Sequence, residues 1–219
     1  MKKIFIRVGD TLTKIGERHN IRCLVYNPIT WARFLTSSRH GGRIFAQVIE
    51  ELFPEVKTCL DVGSGAGGYV YWFNRTGRQA IGLEYSRLGR FIASLQGATT
   101  LKFDCNKSDR RPLLGPFDLV YSIEVAEHVP RELEDPFLDY IASQGSFVIF
   151  SAAQPDQPGQ GHINPQPLHH WRQAFAKRRL EYSEQDTHKV SMRLRQLGFR
   201  GFFPRNCQVF RRSSTTTGS

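Results

Sequence analysis

The sequence predicts an α/β fold, a doubly wound and mostly parallel sheet preceded by an N-terminal helical cap. Three observations carry this expectation. Short apolar segments alternate with amphipathic ones through the middle of the chain, the pattern of strands and crossover helices. A glycine-rich run follows the first apolar segment directly, where a strand must turn into a helix. The second apolar segment ends on an acid, Glu84, about 20 residues beyond that run. A chain of 219 residues, 40% hydrophobic and 23% charged, has the size and composition of one soluble domain.

The elements follow in order. Residues 11–53 have helical periodicity, interrupted at Asn27-Pro28 and at Gly41-Gly42, and form the expected cap. Residues 58–62 (TCLDV) read as a buried strand, followed by the glycine turn and a helix over 68–74. A second strand covers 79–84, a helix 87–95 and a short third strand 99–103. The fourth strand, 117–123, is introduced by the turn pair Gly115-Pro116, and the very apolar 145–150 suits the sheet centre. Residues 152–167, rich in Pro, Gly and Gln, form a loop over the carboxyl edge of the fifth strand. Helices are expected over 168–178 and 184–197, and 206–211 closes the sheet as an edge strand. The expected division is a cap over 1–45, the sheet domain over 46–212 and a disordered tail over 213–219 (SSTTTGS).

No apolar run approaches the ~20 residues that span a bilayer, and Arg7 and Asp10 interrupt the N-terminal apolar stretch, so a cytoplasmic location is expected. The cysteines (Cys23, Cys59, Cys105, Cys207) are scattered with no C-x-x-C pair, which favours reduced thiols. The net charge of +10 is uneven. Residues 1–45 carry nine Lys/Arg against two Asp/Glu, residues 46–169 ten against fifteen, and residues 170–212 eleven against three. Basic ends favour contact with RNA, an anionic membrane surface or an anionic substrate; a solvated surface explains them equally well.

The run Asp61-Val62-Gly63-Ser64-Gly65-Ala66-Gly67 sits at the first strand–helix corner. Gly63, Gly65 and Gly68 also fit the dinucleotide spacing G-x-G-x-x-G, a weak signal alone. Its neighbours discriminate. A carboxylate at Asp61 would repel a pyrophosphate and suits an ammonium group, Glu84 suits ribose hydroxyls, and Asp104 after the third strand suits an adenine amine. An NAD-dependent oxidoreductase would also need a hydride-transfer pair such as Tyr-x-x-x-Lys. Tyr140 is followed at the fourth position by Gln144.

On these residues the sequence resembles the class I S-adenosylmethionine-dependent methyltransferases over roughly 56–210. LDVGSGAGGYV is similar to their first motif, and Glu84, Asp104 and FDLVYSIEVAEHV fall at later landmarks. The resemblance implies a Rossmann-like sheet of seven strands and S-adenosyl-L-methionine as cofactor. It implies cofactor contacts from Asp61, Gly63, Ser64, Gly65, Gly67, Glu84, Tyr85, Asp104, Cys105, Ile123 and Glu124.

Glu124, Glu127 and His128 follow the fourth strand; on a helix, spacings of three and four would put them on one face. The run E-V-A-E-H is similar to that of ubiquinone-pathway O-methyltransferases and small-RNA 3′-terminal 2′-O-methyltransferases, where these positions are associated with a metal. That implies a divalent ion held by Glu124, Glu127, His128 and, from the G-H-I-N loop, His162. The other reading keeps the same residues as a metal-free brace, with His128 and His162 as catalytic candidates. The segment 150–175 and the late NCQVFRR strand resemble bacterial domains of glycan and natural-product biosynthesis. Gln154, His162 and Asn164 are expected over the acceptor pocket, Trp171 in the core, and His169 and His170 at the surface. The expected activity is O-methylation of a small-molecule or glycan acceptor, with RNA 2′-hydroxyl methylation the second reading and an NAD-dependent oxidoreductase a remote third.

Overall fold

The computed structural model describes residues 11–16, 18–19, 27–105, 107 and 111–213. Much of the expected cap (1–10, 17 and 20–26) and the tail 214–219 lie outside the described residues. The element order is α1 (Pro28–Leu52), β1 (Thr58–Val62), α2 (Gly68–Arg75), β2 (Gln79–Glu84), α3 (Arg87–Leu95), β3 (Thr100–Lys102) and β4 (Leu119–Ile123). Two 3-10 turns, Ala126–His128 and Arg131–Leu133, then lead to α4 (Glu134–Ser143) and β5 (Phe147–Ser151). After these come α5 (Leu168–Ala176), β6 (Leu180–Tyr182), α6 (Glu184–Gln196), α7 (Phe203–Asn206) and β7 (Gln208–Arg212).

The seven strands form one sheet in the order β3-β2-β1-β4-β5-β7-β6. Its first five strands are parallel, and β7 pairs antiparallel with both β5 and β6. Chain direction reverses its lateral travel between β1 and β4, so the crevice above their carboxyl ends is the place for a ligand. Side chains alternate between the two faces. Cys59, Tyr121, Ile149 and Val209 join Phe45, Ile49, Val70, Phe73 and Leu194 under α1, α2 and α6. Leu60, Val120, Val148 and Phe210 join Phe137, Trp171 and Phe175 under α4 and α5.

Four details differ from the expectations. The helix expected to break at Gly41-Gly42 runs unbroken from Pro28 to Leu52, crossing residues 45 and 46 without interruption, with Asn27 as N-cap accepting from the Ile29 and Thr30 amides. The glycines serve packing instead. A Cβ on Gly42 would lie 2.6 Å from the Gly68 carbonyl oxygen, and one on Gly68 2.5 Å from the Ser38 carbonyl carbon. Two backbones touch there, which no larger residue permits. The strand at the chain's end, expected at the edge over 206–211, is Gln208–Arg212 and lies inside the sheet, because the unexpected three-residue β6 covers it. Helix α4 was also unexpected; its Pro136 sits in the first turn, where no intrahelical amide is required. Finally, E-V-A-E-H is a bend followed by a 3-10 turn and not an α-helix.

Candidate functional site

The β1 corner is built from backbone. Gly63, Gly65 and Gly67 all take left-handed φ (91°, 53° and 77°), which favours glycine. The Gly63 and Ser64 amides both donate to the Leu83 carbonyl at 2.9 Å, tying the turn to β2. A Cβ on Gly63 would strike Val125 at 2.5 Å, whereas above Gly65 nothing lies within 4 Å. Gly65 therefore forms the floor of an open cradle, and the Glu84 carboxylate forms its rim. That carboxylate accepts from the Gly65 amide at 2.8 Å and the Ser86 amide at 2.6 Å. Burial raises its pKa; those amide bonds and the nearby Arg90 oppose the rise.

Asp61 is buried under the same turn, with one carboxylate oxygen lacking any hydrogen-bond partner. Burial, and then the charge of Glu84, hold its pKa well above the usual carboxylate range. A buried and a half-buried carboxylate at one crevice suit a cationic group. Ser64 is buried and packs against Gly82. Tyr85 is exposed beside Glu84, while Asp104 and Cys105 are half-buried beyond β3. Ile123 ends β4, half-buried beside the crevice.

Across the crevice, side chains do the holding. Glu124 sits at the end of β4 with φ 55°, its amide donating to the Ser151 carbonyl at 2.9 Å. Its carboxylate accepts from Gln157 Nε2 at 2.7 Å and from Asn206 Nδ2 at 3.1 Å. Asn206 Nδ2 also donates to Gln157 Oε1 at 2.6 Å, and Gln154 Nε2 donates to Asn206 Oδ1 at 2.9 Å. Glu124 is thus joined to the loop after β5 and to α7, and it stands outside the three-residue cluster beside it.

That group is Glu127, His128 and His162, whose ligating atoms lie within 4.8 Å of one another. Glu127 is buried, and neither carboxylate oxygen has a donor at bonding geometry; the amides of Glu127 and Ala153 lie close enough only to soften the penalty. Burial, then the charge of Glu124, pushes its carboxyl up to about 8. His162 Nε2 stands 3.9 Å from Glu127 Oε1, and the two imidazole rings are 5.2 Å apart. His128 Nδ1 lies 3.0 Å from the Gly161 carbonyl. A carbonyl only accepts, so Nδ1 carries the proton and Nε2 keeps a lone pair. Burial lowers the His128 pKa, the Gly161 bond opposing it, which keeps the ring neutral at physiological pH.

The loop is fastened in place, since the Ile163 and Asn164 amides both donate to the Glu127 carbonyl at 2.9 Å. Gly159 leaves room for the His162 ring, which occupies the space of its absent Cβ. Asn164 faces away from the crevice; its Nδ2 donates to Glu134 Oε2 at 2.9 Å. His170, expected at the surface, is half-buried and pairs with Glu134 Oε1 at 2.8 Å, while Trp171 is in the core. Gln157 and Asn206 had not been singled out from sequence. Asn206 falls at the start of the last expected strand, and no local signal marks a contact 82 positions distant. Three free cysteines are described, with Cys59 and Cys207 buried. Among the described residues no helix is long and apolar enough to cross a membrane.

A family profile described as a methyltransferase domain matches residues 37–214. A probable chloroplastic tocopherol O-methyltransferase from Oryza sativa subsp. japonica is 34% identical over 93 residues; the match spans 39% of this chain and 26% of that protein's length. Among solved structures, an amino pentose methyltransferase from Micromonospora echinaspora with bound SAM superposes with a TM-score of 0.60 at 14% identity, covering 81% of this chain and 92% of its own. A TehB-like SAM-dependent methyltransferase from Corynebacterium glutamicum gives 0.60 at 15%, covering 85% and 100%. The magnesium protoporphyrin IX methyltransferase of Synechocystis with bound SAH gives 0.55 at 16%, covering 80% and 84%.

Proposed function

Since the chain belongs to the methyltransferase-domain family and is an S-adenosylmethionine-dependent enzyme of the Rossmann-like fold, we propose that it O-methylates a small-molecule or glycan-type acceptor held between the ends of β4 and β5. The cofactor half of this reading rests on the open cradle over Gly65, the Glu84 rim and the buried Asp61. Glu84 receives the ribose hydroxyls and Asp61 faces the cationic methionine end. Ser64, Gly67, Tyr85, Asp104, Cys105 and Ile123 line the remaining cofactor path.

The observation that carries the acceptor half is the neutral, half-buried His128, its Nδ1 fixed by Gly161 and its Nε2 lone pair left over. In methyl transfer the acceptor oxygen attacks the sulfonium methyl in line. The O–C bond forms as the C–S bond breaks, and the thioether leaves neutral. His128 Nε2 takes the hydroxyl proton, while the Glu124–Gln157–Asn206 network holds the loop that places the oxygen on the S–C axis.

The unpartnered oxygens of Glu127 and the unpartnered Nδ1 of His162 fit a divalent cation. Glu127, His128 and His162 would hold it, and His128 Nε2 would then be a ligand in place of accepting the proton. When bound, such an ion orients adjacent hydroxyls and lowers their pKa.

The test is calorimetry with S-adenosylmethionine, followed by tritiated methyl transfer to fractionated small-molecule and glycan extracts. A labelled product whose methyl sits on oxygen supports the proposal; a methyl on nitrogen or carbon overturns it. Chelation that abolishes transfer while leaving cofactor affinity intact assigns the metal, and undiminished transfer removes it.

A further inference from the structure

Helix α3 is turned the opposite way from an ordinary surface helix. Its small residues face inward: a Cβ on Gly89 would lie 2.6 Å from the Trp31 ring of α1, and Ala93 closes on Gly67. Its large apolar residues face out. Leu88, Phe91 and Leu95, spaced to form one stripe, are exposed, Phe91 at 59% and Leu95 at 71%. Tyr85 and, on α1, Phe34 extend the exposed apolar area on either side; Phe34 stacks edge-on against Trp31 with ring centroids 5.7 Å apart. Scattered surface apolar side chains need no explanation, but a contiguous stripe on one helix face does.

The charge around the stripe is of one sign. Residues 85–103 carry Arg87, Arg90 and Lys102 and no acid, and on α1 beside α3 Arg39 and Arg43 add two more cations. The Arg90 guanidinium donates to the Glu84 and Tyr85 carbonyls and Arg39 to the Gln96 side chain, all neutral acceptors that leave the positive charge in place. The Glu84 carboxylate nearby is turned inward to the glycine cradle. A twofold contact with a second copy would set these cations against themselves. Nucleic acid would satisfy the charge but leave Leu88 and Leu95 without a stacking partner.

We propose that the exposed face of α3, framed by the N-terminal half of α1, docks on an anionic lipid surface, with Leu88, Phe91 and Leu95 entering the headgroup–acyl boundary and the arginines reaching the phosphates. The stripe begins four residues after Glu84, so docking places the mouth of the cofactor crevice close to the membrane. This site is separate from the acceptor chemistry, and its failure leaves the methyl-transfer reading intact.

The test is co-sedimentation of the full chain with vesicles of three parts phosphatidylcholine to one part phosphatidylglycerol, and with phosphatidylcholine alone. Partitioning should be at least about tenfold stronger on the anionic vesicles and should weaken as salt screens it. Phe91→Ser and Leu95→Ser should each weaken it roughly tenfold, with Phe91→Leu restoring it and with melting temperature and cofactor affinity unchanged. Binding that salt removes but both serine variants retain would reduce the face to a merely basic one and overturn the proposal. A dimer in sedimentation equilibrium that Phe91→Ser dissociates would overturn it in favour of a second copy. Tighter binding to a short single-stranded RNA than to vesicles, lost in Phe91→Ser, would overturn it in favour of RNA.

Discussion

The two sides of the crevice are held together by different means. On the β1–β2 side the contacts are backbone to backbone or backbone to carboxylate, between residues near in sequence: Ser86 and Glu84 are two apart and Gly65 and Glu84 nineteen. On the β4–β5 side backbone bonds fasten the loop to Glu127, but the long reaches run from side chain to side chain, across 33, 49 and 82 positions. The first arrangement depends on glycine conformations and a single carboxylate, and any side chain that leaves the turn open is compatible with it. The second depends on the identity of each amide and acid. A shared cofactor suits the first kind of site; an acceptor that differs from one enzyme to the next suits the second, because loops held by side chains are re-specified by a few substitutions.

His128→Gln should separate the halves most sharply. It removes the proposed proton acceptor and leaves the glycine turn alone, so kcat should fall by about a thousandfold while affinity for S-adenosylmethionine stays within error. Steady-state rates alongside calorimetry check this. A parallel loss of cofactor affinity would mean that the two sides are not independent.

Glu84→Gln makes the reciprocal change. If Glu84 accepts the ribose hydroxyls as proposed, losing its charge should weaken cofactor binding by roughly a hundredfold, measured by calorimetry. The melting temperature should change little, since a glutamine oxygen still accepts the Gly65 amide. Unchanged affinity would remove Glu84 from the cofactor site.

Asn206→Ala belongs to the acceptor side and should show itself in stability as well as in rate. It leaves Glu124, Gln157 and Gln154 each short of a partner in a buried setting. A cost of about 2 kcal/mol is expected, readable in urea unfolding, with a raised KM for the acceptor. Asn206→Asp should do worse, because it places a second carboxylate against Glu124.

The same contrast explains what could be read in the chain. The glycine corner and Glu84 were visible because local spacing determines them, and β1, β2 and α3 fell where apolar runs and turns placed them. What was hidden depends on distant partners. Gly41-Gly42 reads as a helix break by propensity, yet α1 passes through it because Gly68 demands a close approach. The LEY segment that forms β6 has no strand signal beyond its pairing with β7. E-V-A-E-H has helical spacing, but the left-handed Glu124 and the 3-10 turn send Glu124 to Asn206, and Glu127 and His128 to His162. His128 and His162 could be paired with Glu127 from sequence, and the structure brings the three together; the Asn206 amide that holds Glu124 could not be found that way.

The smallest expected effect tests the seam that joins the two sides. At the opposite edge of the sheet, Asp118 at the entry to β4 accepts from the Lys57 and Thr58 amides leading into β1, each at 2.8 Å, and its own amide donates to Thr58 Oγ1. The Thr58 amide bond, with that of Lys57 and the Thr58 hydroxyl, holds the Asp118 carboxyl below the usual range against a modest burial penalty. A carboxyl whose folded pKa is depressed contributes its full stability above the unfolded value, and that contribution is lost as pH falls through the folded one. Because the group is largely solvated, screening keeps the contribution below about 1 kcal/mol. The wild-type chain should therefore lose a little stability between the unfolded aspartate pKa of roughly 3.9 and the lower folded value. Asp118→Asn should lack that increment, and the two urea-unfolding curves should converge at the acid end. An equal separation at every pH would mean that the clamp works by shape alone. In either case the substitution should leave the cofactor affinity and the acceptor KM of the opposite edge unchanged, since the clamp joins β1 to β4 without entering the crevice.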